Sequence, residues 1–390
     1  MKGWAGARAA LACGVVVWAA LGSSAAAGDP EAGKLAYQVH GPRGRAWIVA
    51  VNIGGSSVRR LVPTSRHGWS DFDWSPNGDK LAAERTAENG FADAIYVATD
   101  AGRTQLVARS MRRTHIRDVT WSPTSSRLAF VRQPTVSCAG SSVWVVGADG
   151  KHLRHVTRPT RAKTTVWVGG WSPSGSRLLY AVTSYDYECA RSDNAIRSTL
   201  FTVGADGRRP QVVAKFGGQF WRAVWSPSGS QIAYLECDFA DLFSCQPSIV
   251  NLNGKDRRKL GEAVNMFGGQ DLAWTPDGGE LVLPYKCAPQ RCVPQLPDCD
   301  ATTWSNGLRA IDVTANRTRP IVSRSGCGSA DLLAISRSSR TLAFRWTTPD
   351  GVIAGRPMLA GLDGSNVRPL APPPKVAAAR VDPVPAVYLP

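Results

Sequence analysis

One phrase recurs along the 390-residue chain. An apolar run ends in Trp-Ser-Pro, a Gly or Ser turn follows, and a second apolar run begins. It reads DWSPNGDKLA from Asp73, TWSPTSSRLAF from Thr120, GWSPSGSRLLY from Gly170, VWSPSGSQIAY from Val224 and AWTPDGGELVL from Ala273. A worn copy, AISRSSRTLAF, starts at Ala334. Trp74, Trp121, Trp171, Trp225 and Trp274 follow one another at 47, 50, 54 and 49 residues, and Ile335 comes 61 residues later. Self-similarity at this period means one supersecondary unit stacked on itself.

The unit reads as four strands. Trp-Ser-Pro ends the first, where a proline in the turn costs no ladder hydrogen bond. The second is the apolar run after the turn, as in SRLAFV from Ser126. A variable loop leads to a third strand closing on Asp-Gly or Asn-Gly, as in VWVVGADGK from Val143 and LFTVGADGR from Leu200. Those pairs supply the positive φ of hairpin turns. A short fourth strand ends the unit, and four antiparallel strands make a propeller blade. The chain enters at KLAYQVHG from Lys34, already a second strand. The missing innermost strand is expected from ARVDPVP at Ala379, with Val381-Asp382-Pro383 standing for Trp-Ser-Pro. A C-terminal strand would then complete the first blade, protect the sheet edges and close a seven-bladed, all-β ring.

The start of the chain has the layout of an export signal. Lys2 and Arg8 are basic, an apolar stretch runs from Ala9 to Leu21, and Ala25-Ala26-Ala27 offers a cleavage site before Gly28. The alternatives are an uncleaved anchor and a lipoprotein on Cys13, whose neighbour Ala10 stands where a Leu is wanted. No later stretch reaches the roughly 18 apolar residues of a span. The expected layout is a signal at 1–27, a lead at 28–33, a propeller at 34–385 and a tail at 386–390. The mature chain is expected to be periplasmic or secreted.

Eight cysteines remain after the signal: Cys138, Cys189, Cys237, Cys245, Cys287, Cys292, Cys299 and Cys327. An even count in an exported chain favours disulfides. Cys237 and Cys245 are expected to bridge one loop, and Cys138 and Cys189 to link adjacent blades. The last four allow three pairings. A metal site on Cys287, Cys292 and Cys299 is the alternative, but their spacing fits no zinc pattern well.

The Trp-Ser-Pro-Asp-Gly-Lys phrase with its Ile-Ala-Phe and Ile-Tyr-Val strands resembles the WD-repeat-like propellers of the TolB type. The resemblance covers Lys34 to Pro385 and implies a TolB-like fold. It departs from TolB in having seven blades rather than six, without the domain that precedes that propeller. The family also supplies the propeller of prolyl-oligopeptidase-like enzymes. Their chemistry sits in a hydrolase domain, and no Gly-x-Ser-x-Gly elbow occurs here.

In such a ring, second-to-third-strand loops and blade connections share one face, the loop face. Hairpin turns share the other, the turn face. Ahead of the repeat phrase, Trp167, Phe220 and Trp221 are expected to line the channel mouth with Arg117, Arg222, Asp118, Asp271 and Asp331, a pocket for a sugar or peptide. For the aromatics, packing between blades is the favoured reading, being their main use in this fold, and the repeat tryptophans are assigned to packing as well. His40, His67 and His115 map to the loop face. Oligogalacturonate lyases among the seven-bladed relatives hold a metal with histidines there, but no fourth ligand suggests itself here. They are weak metal candidates, and no cofactor is expected.

The net charge is +16, or +14 without Lys2 and Arg8. Many of the cations follow the third-strand turn: Arg59, Arg60, Arg103, Lys151, Arg154, Arg208, Arg209, Lys255, Arg257, Arg258, Lys259, Arg317, Arg319 and Arg368. They should form a rim attracting an anionic polymer or membrane surface, or merely guard the outer strand edges. Nucleic acid is not expected, because export and the lack of interleaved aromatics argue against it. The reading is a monomeric, non-catalytic propeller that binds a protein or polymer in the cell envelope or outside the cell. A lyase or hydrolase with a loop-face channel site, with or without a metal, is the alternative.

Overall fold

The computed structural model describes residues 15–16, 33–53, 58–135, 140–161, 163–185, 195–238, 244–265, 272–287, 305–326, 329–336, 338, 340–347, 357–370, 380–381 and 386–390. The serine of the repeat phrase explains why the phrase recurs. Its hydroxyl accepts the backbone N–H five residues on, at 3.0 Å, in Ser75–Lys80, Ser122–Arg127, Ser172–Arg177 and Ser226–Gln231. Thr275 does the same for Glu280. The turn therefore satisfies its own backbone while two apolar strands leave it antiparallel. Each repeat tryptophan lands opposite the first apolar residue of the second strand: Trp74 on Leu81, Trp121 on Leu128, Trp171 on Leu178, Trp225 on Ile232, Trp274 on Leu281.

Six sheets result among the described residues, built of four-stranded antiparallel units that are numbered below as blades in chain order, two of them sharing the eight-stranded sheet. Blade 2 holds Trp69–Trp74, Lys80–Thr86, Ala92–Thr99 and Thr104–Arg109. Blade 3 holds Thr114–Trp121, Arg127–Pro134, Ser142–Gly147 and Arg154–His155. Blades 4, 5, 6 and 7 begin at Thr164, Gln219, Ala273 and Ser329. Blades 2 and 3 are joined into one sheet through Ala92 and Ile116. Val15–Val16, within the expected leader, pairs in parallel with Ala334 and Ile335 of blade 7.

Blade 1 holds Lys34–His40, Ala46–Asn52 and Val58–Arg60, and the C-terminal segment supplies its inner strand. Arg380–Val381 pairs with Val39 and His40, and Ala386–Tyr388 with Lys34 to Ala36. The closure matches expectation, but its register does not. Val387, not Val381, faces Leu35 and so takes the tryptophan's place. The expected tail at 386–390 is thus part of the blade, with Val387 and Leu389 buried. The Asp-Pro at 382–383 suggested the turn, whereas the small and apolar residues after it are what fill the inner strand's slot.

The core is divided by blade junction. Seven buried clusters each draw on two neighbouring blades, the last joining Leu35 and Tyr37 of blade 1 to Leu333 and Leu359 of blade 7. Polar clasps repeat across the junctions. The indole N–H of Trp121 donates to the Asp73 carbonyl (3.1 Å), Trp171 to Thr120 (3.3 Å) and Trp274 to Val224 (3.3 Å). Each acceptor is the residue just before the previous blade's tryptophan. On the turn face, Lys34, Lys80 and Arg127 donate to the carbonyls of Gly78, Ser125 and Gly175 in the next blade. Further out, Arg59, Gln105 and Arg319 reach the carbonyls of Asp100, Asp149 and Leu362.

Cys237 and Cys245 form a disulfide directly across the second and third strands of blade 5, their Cα atoms 4.0 Å apart. The expected pairing forms, with each cysteine held at a strand end on either side of the connection it bridges. Cys138, Cys189, Cys292, Cys299 and Cys327 lie outside the described residues, and Cys287 ends a blade 6 strand.

Candidate functional site

The inner strands line the channel, and five of them carry one extra residue relative to their neighbours. These bulges lie between Trp69 and Asp71, Arg117 and Thr120, Val168 and Gly170, Phe220 and Ala223, and Leu332 and Ala334. A bulge bends its strand and re-aims side chains. Here it turns the residue three before the tryptophan: Asp71 in blade 2, Asp118 in blade 3 and Arg222 in blade 5. Asp118 adopts φ 57°, a strained left-handed conformation for a side chain other than glycine's. Asp271, at the same offset in blade 6, lies outside the described residues.

These groups sense one another. Asp71 is pushed up to about 7, first by burial; the Phe72 N–H opposes the rise, Asp118 adds to it and Arg222 lowers it. Asp73 is raised well above its usual range by burial and by Asp71, against the Trp74 N–H and Arg222. Glu84, buried on the second strand opposite Asp71, is raised well above its range by burial and Asp71's charge. It accepts the Val119 N–H and the Ser70 hydroxyl, each at 3.3 Å. Burial also lifts Asp118, while Arg117, the Val168 N–H and Arg222 lower it. The channel wall therefore holds carboxyls whose proton affinity burial raises, with Arg222 as the facing cation. Such a set can donate and accept protons, or bind a polar group reversibly.

The other expected site residues divide. Arg117 is a clasp. It bonds Asp118 (2.5 Å), Gln133 (2.7 Å), the Thr165 hydroxyl (3.0 Å) and the Val166 carbonyl (2.5 Å), and lies 4.2 Å over the Trp167 ring. Trp167 thus covers a structural arginine rather than standing open. Phe220, expected at the channel mouth, is buried in the core between blades 4 and 5, where the bulge beside it turns it inward. Trp221 packs half-buried against the cluster between blades 5 and 6. Asp331 is held by Arg345 of its own blade, 2.8 Å away, with both buried. Asp71, Asp73 and Glu84 were missed. The signal for Asp71 was available, because it occupies the offset of Asp118, Arg222 and Asp271.

His40 hydrogen bonds Gln38 at 3.1 Å, His67 is exposed, and His115 is buried and stacked on Phe91, ring centroids 4.5 Å apart. Among the described residues, no three His, Cys, Asp or Glu side chains are grouped to hold a metal. No described helix is long and apolar enough to cross a membrane.

The basic rim is of two kinds. Arg59 pairs with Asp100, Arg257 with Glu236 and Arg319 with Glu280, while Arg60 bonds the Val62 carbonyl and lies over Trp47. In contrast, Arg103, Lys151, Arg208, Lys255 and Arg317 occupy the same place after the third-strand turn in blades 2 to 6. All five are exposed and none forms an ion pair among the described residues.

No protein-family model and no curated protein matches the chain. Solved structures do. An oligogalacturonate lyase in complex with manganese matches with TM-score 0.57 at 13% identity, over 86% of this chain and 84% of that one. The β-propeller domain of the Trilobed protease from Pyrococcus furiosus gives 0.54 at 14%, over 84% and 89%. TolB from Acinetobacter baumannii gives 0.46 at 13%, over 76% and 65%. The first two establish a shared propeller fold, and fold alone does not carry function.

Proposed function

We propose that this chain is an exported binding propeller that holds an anionic polymer of the cell envelope or extracellular space along its turn face. One observation carries the reading: five exposed cations, none in an ion pair among the described residues, at the same turn position in five consecutive blades, although Arg208 and Arg317 also act on Asp206 and Asp312 of their own turns. Each exposed charge is worth little alone. Charges set at one structural interval can engage a repeating anionic chain together, and linked weak contacts multiply. The alanine-rich leader and the Cys237–Cys245 disulfide support an oxidising destination. The test is fluorescence anisotropy with labelled dextran sulfate. Combined Lys151→Gln, Arg208→Gln and Lys255→Gln is expected to weaken binding at least about tenfold while the melting temperature holds. Unchanged affinity overturns the reading.

A second reading is a lyase or hydrolase working in the channel. Asp71, pushed up to about 7 opposite a Glu84 that burial also raises well above the carboxylate range, favours it, because perturbed carboxyls cluster at sites of acid–base work. Cleavage of a polysaccharide or peptide panel that disappears in Asp71→Asn would replace the binding reading with this one.

A further inference from the structure

A cavity of about 310 Å³ opens on the loop face between blades 2 and 3, away from both the channel carboxyls and the turn-face cations. It lies at the lower end of small-ligand sites and equals the liquid volume of about ten waters. Its walls come from the loop before Ala92, the blade connection Ser110–Thr114, His115 and Thr135. We propose that this cavity binds a small carboxylate carried on a planar or apolar body.

The apolar half of that ligand is specified by three side chains. Phe91 and His115 both line the cavity and stack with an interplanar angle of 22°, which fixes an aromatic pair at its edge. Met111 lines the same cavity and is 51% exposed. The other large hydrophobics with comparable exposure, Val58, Leu153, Val212 and Val367, all lie by outer strands on the far rim. A thioether beside aromatic rings is an adaptable contact for a planar ligand.

The charge of the cavity specifies the other half. Asp93 lines it, but Arg85 holds both carboxylate oxygens, at 2.9 and 2.5 Å, so that negative charge is already matched. Arg113, also in the lining, is exposed and forms no ion pair among the described residues. Its backbone sits at φ 61°, fixed by the Thr135 N–H donating to its carbonyl at 2.9 Å. A non-glycine residue pinned in the left-handed region signals a conformation the surroundings enforce. The site is also preformed, because the Ala92–Ile116 pairing fuses the two blades beside it. A preformed site with an aromatic pair and a guanidinium that forms no ion pair among the described residues favours a planar anion over a neutral or cationic ligand.

The experiment is titration of the purified chain with phenylacetate and with its uncharged relative benzyl alcohol, read by calorimetry and saturation-transfer NMR. Arg113→Asn is the informative variant, since asparagine tolerates the left-handed backbone. Phenylacetate is expected to bind saturably at one site and to lose about tenfold in affinity in Arg113→Asn. Benzyl alcohol should bind more weakly and equally to both proteins. Met111→Ala should weaken both ligands. The proposal is overturned if phenylacetate shows no saturable binding, or binds Arg113→Asn as tightly as the parent. Loss of its binding on Asp71→Asn with Arg113→Asn unaffected would move the site to the channel and also overturn it.

Discussion

Asp71 stands directly opposite Glu84 across the first two strands of blade 2, putting two carboxyl groups on one stretch of channel wall. Burial is the main reason Asp71 rises from 3.8 to about 7. A carboxyl raised in the folded state binds its proton more tightly there than in the unfolded chain. Its stabilising contribution is complete below about pH 4 and is lost as pH climbs to about 7. Asparagine mimics the protonated form and can still accept the Phe72 N–H. Asp71→Asn should therefore stabilise the protein by about 1–3 kcal/mol above neutrality and change little near pH 4. Melting curves at the two pH values check this, and a destabilised variant at high pH would contradict it.

Trp121 separates packing from hydrogen bonding at a blade junction. Trp121→Phe removes the donor to the Asp73 carbonyl but keeps a ring in the pocket, at a cost of about 1 kcal/mol. Trp121→Ala empties the buried site and should cost about 3–5 kcal/mol. Urea unfolding of the pair distinguishes them. Equal losses would mean that the indole N–H governs the junction.

The Cys237–Cys245 disulfide closes a short loop eight residues apart in sequence. Chain-entropy reasoning gives about 2–3 kcal/mol for a loop of this size. Cys237→Ser with Cys245→Ser is expected to lower stability by that amount and leave the other blades folded, as read by denaturant unfolding.

Neighbouring arginines of blade 6 should behave oppositely. Arg319 holds Glu280 through two bonds and reaches the Leu362 carbonyl of blade 7, so Arg319→Ala should lose about 1 kcal/mol of stability. Arg317, exposed and without an ion pair among the described residues, should leave stability within about 0.5 kcal/mol. Its loss should appear in polymer affinity instead. Calorimetric melting of both alanine variants tests the division.

The Trp-Ser-Pro phrase made the fold legible because each of its residues has a fixed duty. The ring packs between blades, with the indole N–H of Trp121, Trp171 and Trp274 bridging them, the hydroxyl accepts the turn's N–H, and the proline sits off the ladder. Ring closure was also readable, but its register was not. Val381 and Val387 are chemically alike, and only pairing with Leu35 separates them. The channel was half legible. Asp118 and Arg222 were read as residues just ahead of the repeat phrase, and Asp71 stands the same three residues before its tryptophan. Glu84 could not be found that way, because it lies on a second strand and reaches the channel wall only through cross-strand pairing. Phe220 packs between blades, as favoured for the aromatics; the sequence left the channel open to it because a bulge, invisible in sequence, decides which way the residue beside it faces. Arg59 looked like a free rim charge because its acceptors belong to the next blade, and Arg319 because Glu280 lies 39 residues earlier in the chain.

The most direct test compares two charge-matched variants for binding labelled dextran sulfate. One replaces Arg103, Lys151, Arg208, Lys255 and Arg317 with Gln. The other replaces five exposed loop-face cations, Arg43, Arg45, Arg66, Arg112 and Arg161. If the repeated turn position forms the binding surface, the first variant loses nearly all affinity and the second retains most of it. Equal losses would mean that attraction follows net charge alone, and would contradict the assignment of the polymer site to the turn face.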